Sequence, residues 1–325
     1  MKITIEKRAF PLAQPFIITG YQFDDVDTVW VTLEDGGFTG RGEGVGIYYA
    51  GENSDTMYAQ LEAIVPEIEK GLTFDKVQAL LPHGGARNAL DCALWDLQSK
   101  KSGKSIWQMT GITPREVTTV ATVGIASPEK MAADALAFAQ YPNLKIKLSG
   151  DDPIRRITAI RQARPDAKLV IDVNQGWNFA ELQDYIPEMA KLGVAMIEQP
   201  LPRGMDEELV GFTSPVPLGG DESCLTLEEY DQFADRYDII NIKLDKCGGL
   251  TEALAIARKA QAEKKGLMVG NMTGTSLSMA PAYVIAQFCD FVDIDGPILL
   301  SQDIDNALTY KEGGIVSIPT PDLWG

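Results

Sequence analysis

The stretch Leu144-Lys-Ile-Lys-Leu148 alternates apolar and basic residues. After it come Lys168-Leu-Val-Ile-Asp-Val-Asn174, Val194-Ala-Met-Ile-Glu-Gln-Pro200, Pro217-Leu-Gly-Gly-Asp-Glu222 and Asn241-Ile-Lys-Leu244. In an extended chain residues i and i+2 share a face, so Lys145 and Lys147 point together while Leu144, Ile146 and Leu148 take the other side. The next three segments run apolar and close on Asp172, Glu198 and Asp221, and the last carries Lys243. Short apolar strands about one βα unit apart predict a parallel barrel, whose active face gathers residues from the C-terminal strand ends. The pattern therefore spaces a base, three oxygen ligands and a second base around one point.

Outward from this core, apolar strands are expected at 117–123, 144–148, 168–173, 194–198, 217–221, 239–243, 266–270 and 291–293. Eight such strands, roughly 22 to 27 residues apart, match a closed α/β barrel better than an open sheet. The region before them reads differently. Ile3-Thr-Ile5, Thr28-Val-Trp-Val-Thr-Leu33 and the reversal Glu34-Asp-Gly-Gly37 predict an antiparallel meander. Helices are expected from Asp55 to about Lys70 and from Ala86 to about Lys101, the second with Ala86, Leu90, Ala93, Leu94 and Leu97 on one face. The expected organisation is an α+β unit over 1–112, a barrel over 113–300, and a segment over 301–325 that returns to the first unit.

The chain of 325 residues, 45% hydrophobic, can bury a large core. Its net charge of −17 argues against nucleic acid and anionic membranes as partners. Cys92, Cys224, Cys247 and Cys289 are scattered without metal-ligand spacing, which reads as reduced thiols in a cytoplasmic protein. The opening Met1-Lys-Ile-Thr-Ile-Glu-Lys-Arg8 alternates like a strand rather than a signal peptide, and no run reaches about 18 apolar residues.

Three converging carboxylates repel one another unless a cation neutralises them, and an all-oxygen donor set favours Mg²⁺. Taken singly, each acid could equally cap a βα helix. Asn174 and Glu222 are candidates to support the ligands, or ordinary loop polarity. A lysine is a good base when burial, a dication or a second ammonium lowers its pKa, which is the expectation for the Lys145/Lys147 pair. Lys243, from the sixth strand, would reach the opposite face of a bound carbanion. Asp293 and Asp295 end the eighth strand on one face, and either bind a substrate ammonium or begin the Asp-Gly turn before Pro297. His83, the only histidine, precedes the barrel and reads as a loop residue.

These residues resemble the enolase superfamily, muconate-lactonizing subgroup, and within it the dipeptide epimerases. The resemblance rests on Ala86-Arg-Asn-Ala-Leu-Asp-Cys-Ala-Leu-Trp-Asp96, Lys-Ile-Lys147, Asp-Val-Asn-Gln-Gly-Trp177, Glu-Gln-Pro200, Asp-Glu-Ser223 and Asn-Ile-Lys-Leu-Asp-Lys246. A mandelate-racemase-like member would carry a histidine base late in the barrel, which is missing. The resemblance implies a capping domain over a modified (β/α)7β TIM barrel, with Mg²⁺ on Asp172, Glu198 and Asp221. It also implies Lys147 and Lys243 as opposed acid/base catalysts, with Lys145 tuning Lys147, and a superfamily pairing of such bases with Mg²⁺. Asp293 and Asp295 match the Asp-x-Asp that holds the ammonium of a dipeptide. Thr122, Asn271 and Met272 complete the expected substrate-binding set.

Specificity is where the chain departs. Relatives acting on alanine-glutamate carry a basic residue in the loop after the first strand; here Gly20-Tyr-Gln-Phe-Asp-Asp-Val-Asp27 puts Phe23 at about that point. The expected second side chain is uncharged or cationic. The expected activity is epimerisation of a dipeptide at the α-carbon of its C-terminal residue, with a homo-oligomer left open. The alternatives are an N-succinylamino-acid racemase or muconate-type cycloisomerase, a Schiff-base aldolase, and a non-enzymatic ligand-binding barrel.

Overall fold

The computed structural model describes all 325 residues. Strands β1 (Lys2–Ile18), β2 (Tyr21–Asp35) and β3 (Phe38–Val45) form an antiparallel sheet in that order. Gly36 and Gly37, both at positive φ, make the reversal between β2 and β3, as the Glu34–Gly37 reading expects. The expected helix from 55 to 70 is two helices, Ser54–Ala63 and Val65–Glu69. They break at Ile64 because Pro66, in the first turn of the second helix, cannot donate back into the first. Gly85–Ser102 is one continuous helix.

That helix lies directly on the backbone of β3. A Cβ built on Gly40, Gly42 or Gly44 would fall 2.3, 2.1 and 2.0 Å from the carbonyl oxygens of Ala93, Ala89 and Gly85. Alternate residues of the strand thus meet successive turns of the helix, and only glycine fits.

The barrel follows. Strands β4 (Val117–Thr118) and β5 (Ala121–Val123) divide the single expected strand 117–123. They are followed by β6 (Asn143–Lys147), β7 (Lys168–Asp172), β8 (Val194–Glu198), β9 (Leu218–Gly220), β10 (Ile239–Ile242), β11 (Gly266–Val269) and β12 (Phe291–Val292). From β5 to β12 they form one parallel sheet in sequence order. Its edges meet where Val120 N donates to Val292 O at 2.9 Å, so the eight strands curl into the (β/α)7β barrel. The crossover after β8 carries only a one-turn 3₁₀ helix, Glu207–Leu209. β4 leaves the barrel register to pair with β13 (Ile315–Val316). The tail also returns to the cap: Ser301 N donates to Pro11 O at 2.8 Å, and Trp324 Nε1 to Cys92 O at 3.0 Å.

Leu144, Ile146 and Leu148 join the 59-residue cluster between strands and outer helices, while Lys145 and Lys147 face the barrel interior. A smaller cluster of Val170, Met196, Ile239 and Met268 fills the barrel below them. No helix is long and apolar enough to cross a membrane.

Gly42→Ala should therefore destabilise the protein by about 3 kcal/mol or more, because strand and helix must separate to admit one methyl group. A lower urea midpoint at unchanged slope checks it; an unchanged midpoint would show the contact to be loose.

Candidate active site

Asp172 and Glu198 are the last residues of β7 and β8, adjacent in register, and Asp221 follows β9. All three are completely buried. As the side chains stand they do not close on a common point; lysine ammonium groups lie between them. Lys145 Nζ is 3.1 Å from Asp172 Oδ2, 2.9 Å from Glu198 Oε2 and 2.8 Å from Asp293 Oδ2. Lys147 Nζ donates to Asp172 Oδ2 at 2.7 Å and Asn174 Oδ1 at 3.0 Å. Lys243 and Lys246 approach Asp221 at 2.7 and 2.5 Å.

Several of these oxygens are paired in charge but not in hydrogen-bond direction. Glu198 Oε2 and both carboxylate oxygens of Asp221 are buried without a hydrogen-bond partner. Orphaned anionic oxygens at two neighbouring strand ends, beside the Asp172 carboxylate and with no sulfur or imidazole among them, are a donor set that fits a hard divalent cation.

Charge dominates the titration of the cluster. Burial opposes ionisation of Asp172, yet Lys147, Lys145 and Lys243 together hold it down to about 2. Burial, reinforced by Asp172, pushes Glu198 up to about 7. Burial also lifts Glu222 to about 8, with Asp221 and Asp172 adding to the rise. For Lys145 and Lys243, burial favours the neutral amine, but the surrounding carboxylates prevail and hold both well above the ordinary range. Against the expected lowering, Lys145 is thus raised while the acids are balanced only by lysines. A dication competing for the same oxygens would relieve that hold.

Lys147 and Lys243 both line a cavity of about 220 Å³ between cap and barrel. Phe23, Asn271 and Met272 line it too, with Leu12, Phe16 and Val26 from the cap. Phe23 does not lie in a loop, however. Its segment continues β2, paired with Phe16 across a long ribbon that folds over the barrel mouth. Asn174 Nδ2 reaches Glu222 Oε1 at 3.3 Å, and Asn174 N donates to Asp172 Oδ1, so both expected supporting residues touch the cluster.

Thr122, Asp293 and Asp295 stand apart from that lining. Asp293 is held by Lys145 and by Asn271 Nδ2, at 2.9 Å, while Asp295 Oδ2 accepts from Thr122 N at 2.7 Å. Burial opposes charge on both acids; Lys145 nevertheless keeps Asp293 below the usual range, while Asp293 adds to the rise of Asp295. Thr122 borders a neighbouring cavity with Ile17, Ile298 and Leu299. His83 sits in a bend, its Nδ1 3.0 Å from Lys246 O.

Four further residues have no assignment from sequence. Asn241 Nδ2 donates to Glu198 Oε1 at 2.6 Å. It shares a strand face with Lys243, which is the available signal. Lys246 is buried against Asp221 and the carbonyls of Asp221 and Asn241. Tyr48, against Phe23 at 5.3 Å between ring centroids, comes from the cap and carries no sequence signal. Gln199 accepts from Asp221 N at 2.9 Å and Ser223 N at 3.1 Å, and donates to Ser223 Oγ, Tyr237 OH and Leu201 O.

Residues 1–111 match the mandelate racemase / muconate lactonizing enzyme N-terminal domain, and 129–321 match the enolase C-terminal domain-like family. The chain belongs to the mandelate racemase / muconate lactonizing enzyme family of the enolase superfamily. Among family members, the Escherichia coli L-Ala-D/L-Glu epimerase is 42% identical, over 96% of this chain and 98% of the relative. An N-acetyl-D-glutamate racemase from Pseudoalteromonas is 39% identical, over 91% and 94%. A solved Agrobacterium tumefaciens family member, with homology to dipeptide epimerases and holding sodium and L-Ala-L-Glu, superposes with a TM-score of 0.96. It is 42% identical and covers 99% of each chain. A dipeptide epimerase from Enterococcus faecalis, complexed with Mg and L-Leu-L-Tyr, gives 0.91 at 27% identity, over 97% of this chain and 96% of that one.

Gln199→Leu should leave the amides of Asp221 and Ser223 and the hydroxyl groups around them short of partners. A loss of about 3 kcal/mol or more in denaturant unfolding is expected. Stability within about 0.5 kcal/mol of wild type would show those groups to be satisfied by other means.

Proposed function

We propose that the protein is a Mg²⁺-dependent dipeptide epimerase acting at the α-carbon of the C-terminal residue. The observation that carries this reading is the pair Lys147 and Lys243. They come from the second and sixth strands of an eight-stranded ring, opposite one another, and line one cavity beside the buried acids.

Asp172, Glu198 and Asp221 would hold the cation, which supplies positive charge for the substrate carboxylate and for the charge that develops as the α-proton leaves. One lysine removes the proton and the other returns one to the opposite face. Lys145, hydrogen-bonded to Asp293, holds positive charge at the centre and keeps Lys147 company on the same strand face. The cap ribbon and Tyr48 form the outer wall of the cavity. Four free thiols, three of them buried, suit a reducing compartment, and the cytoplasm is the proposed location.

An observation at the eighth strand favours a second reading, racemisation of an N-acylamino acid. Asp293 and Asp295, expected to clamp a free ammonium, are engaged by Lys145, Asn271 and Thr122 and do not border the cavity. The Pseudoalteromonas relative is named for such a substrate. For the C-terminal side chain, Phe23, Leu12 and Val26 offer apolar walls, and Asp25, Asp27 and Glu52 border the same space. That lining favours an apolar or cationic residue.

Screening free dipeptides and N-acylamino acids in D₂O with Mg²⁺ tests the reaction. Mass gain at the α-carbon is expected, and its absence from every substrate, or full activity after exhaustive chelation, would overturn it. A clear preference for L-Ala-L-Glu would overturn the side-chain inference. Lys147→Arg and Lys243→Arg should each lower epimerisation by about 10²–10⁴. In each variant, deuterium uptake should survive from only one stereoisomer; wild-type exchange of both would remove that lysine from the mechanism.

Asp293→Asn should cost free dipeptides about tenfold or more in kcat/KM while sparing N-blocked analogues. Equal losses on both would argue for a structural role of this turn rather than an ammonium clamp.

A further inference from the structure

The loop after the seventh strand, residues 271–274, presents Asn271, Met272 and Thr273 to the cavity, yet its far end is fixed from outside the barrel. Glu43, on β3 of the cap, is completely buried. Its Oε1 accepts from Thr275 N at 3.0 Å and its Oε2 from the Thr275 hydroxyl, so one carboxylate takes both donors of one residue. Thr275 is the N-cap of helix Ser276–Ala286. The next residue is held in the same way, with Ser276 N and Oγ donating to Asp303 of the tail at 3.0 and 2.5 Å. A helix N-terminus favours such anionic partners. The loop has little slack between its anchors: Thr273 stands at positive φ, and a Cβ on Gly274 would meet Glu43 Oε1 at 3.0 Å.

From this anchor the chain of contacts runs to the site. Asn271 Oδ1 accepts from Thr273 N at 2.8 Å, while its Nδ2 donates to Asp293 Oδ1 at 2.9 Å and to Asp293 O at 3.0 Å. Thus a carboxylate of the cap fixes the turn that aims Asn271 at the acid pair. The same strand end is tied to the turn carrying Lys243: Val45 N donates to Asp245 Oδ1 at 2.9 Å, and Asn88 Nδ2 bonds both Asp245 and Glu43 O.

We propose that Glu43 is a positioning residue: by fastening Thr275 to the cap it sets the 271–274 loop, and hence Asn271 and Met272, against the substrate. The inference rests on the α-proton exchange proposed above. It adds that cap docking, beyond enclosing the cavity, determines the shape of its barrel-side wall. Glu43 touches neither substrate nor reacting atoms, so its loss acts on binding before chemistry.

The experiment compares Glu43→Ala and Thr275→Val, which break the link, with Glu43→Gln and Thr275→Ser, which keep its geometry. The steady-state substrate is the best one from the D₂O screen. The breaking variants should raise KM by about tenfold with kcat within about threefold of wild type, and the conservative ones should restore KM. Amide exchange measured by mass spectrometry, without substrate, should quicken in 270–277 of the breaking variants and not in β6–β8. Wild-type KM and wild-type exchange in Thr275→Val would overturn the proposal. Equal loss of protection throughout the barrel would also overturn it, since the role would then be general stability. Failure of wild type to exchange any α-proton would instead remove the proposed reaction, leaving the amide-exchange comparison to decide the loop.

Discussion

Charge balance in a buried space is the constraint on which this molecule depends. Asp172, Glu198, Asp221, Glu222 and Asp293 sit in the barrel mouth with Lys145, Lys147, Lys243 and Lys246, all removed from bulk water. Isolated, any of them would cost several kcal/mol to bury. Together they are tolerated because Asp172, Glu198, Asp221 and Asp293 each have a lysine ammonium within 3.1 Å, while Glu222, with no such partner, is pushed up by burial. The result is a cluster whose members cannot be changed one at a time without leaving another exposed to its own desolvation penalty.

The same constraint acts on the lysines that face the acids. While lysines alone balance the acids, Lys145 and Lys243 are kept protonated by their neighbours. A hard cation on the same oxygens would offset the negative field that holds these two protonated. Cation binding by the acids and release of the lysines would then be one electrostatic event rather than two separate devices.

Around this centre the cap is positioned by close backbone contact. The glycines at 40, 42 and 44 let a helix rest on β3, and the end of that strand extends Glu43 and Val45 into the barrel's loops. The ribbon of β1 and β2 then reaches over the mouth with Phe16 and Phe23. Cavity shape is therefore a property of the interface and not of either part.

The sequence by itself determined the barrel strands, because period-2 alternation and apolar runs closing on an acid are local signals, and seven of the eight expected strands lie within a residue or so of the observed ones. The lysines and carboxylates were legible as candidates for the same reason: Lys145 alternates with apolar neighbours inside its strand, and the others sit at strand ends, where a polar residue after an apolar run stands out. The split of 117–123 was not legible, since β4 leaves the barrel for a partner nearly 200 residues later. Nor was the strand character of Tyr21–Asp27, where polar residues mask a ribbon held by cross-strand pairing. Gln199, Lys246 and Tyr48 became visible only in three dimensions, and Asn241 left no more than its two-residue spacing from Lys243. Their importance comes from hydrogen bonds, ion pairs and ring contacts to residues distant in the chain, and spacing carries no record of those. Local chemistry fixed which groups the protein could bring to a reaction; tertiary structure alone decided which of them face the cavity and which are spent on holding one another.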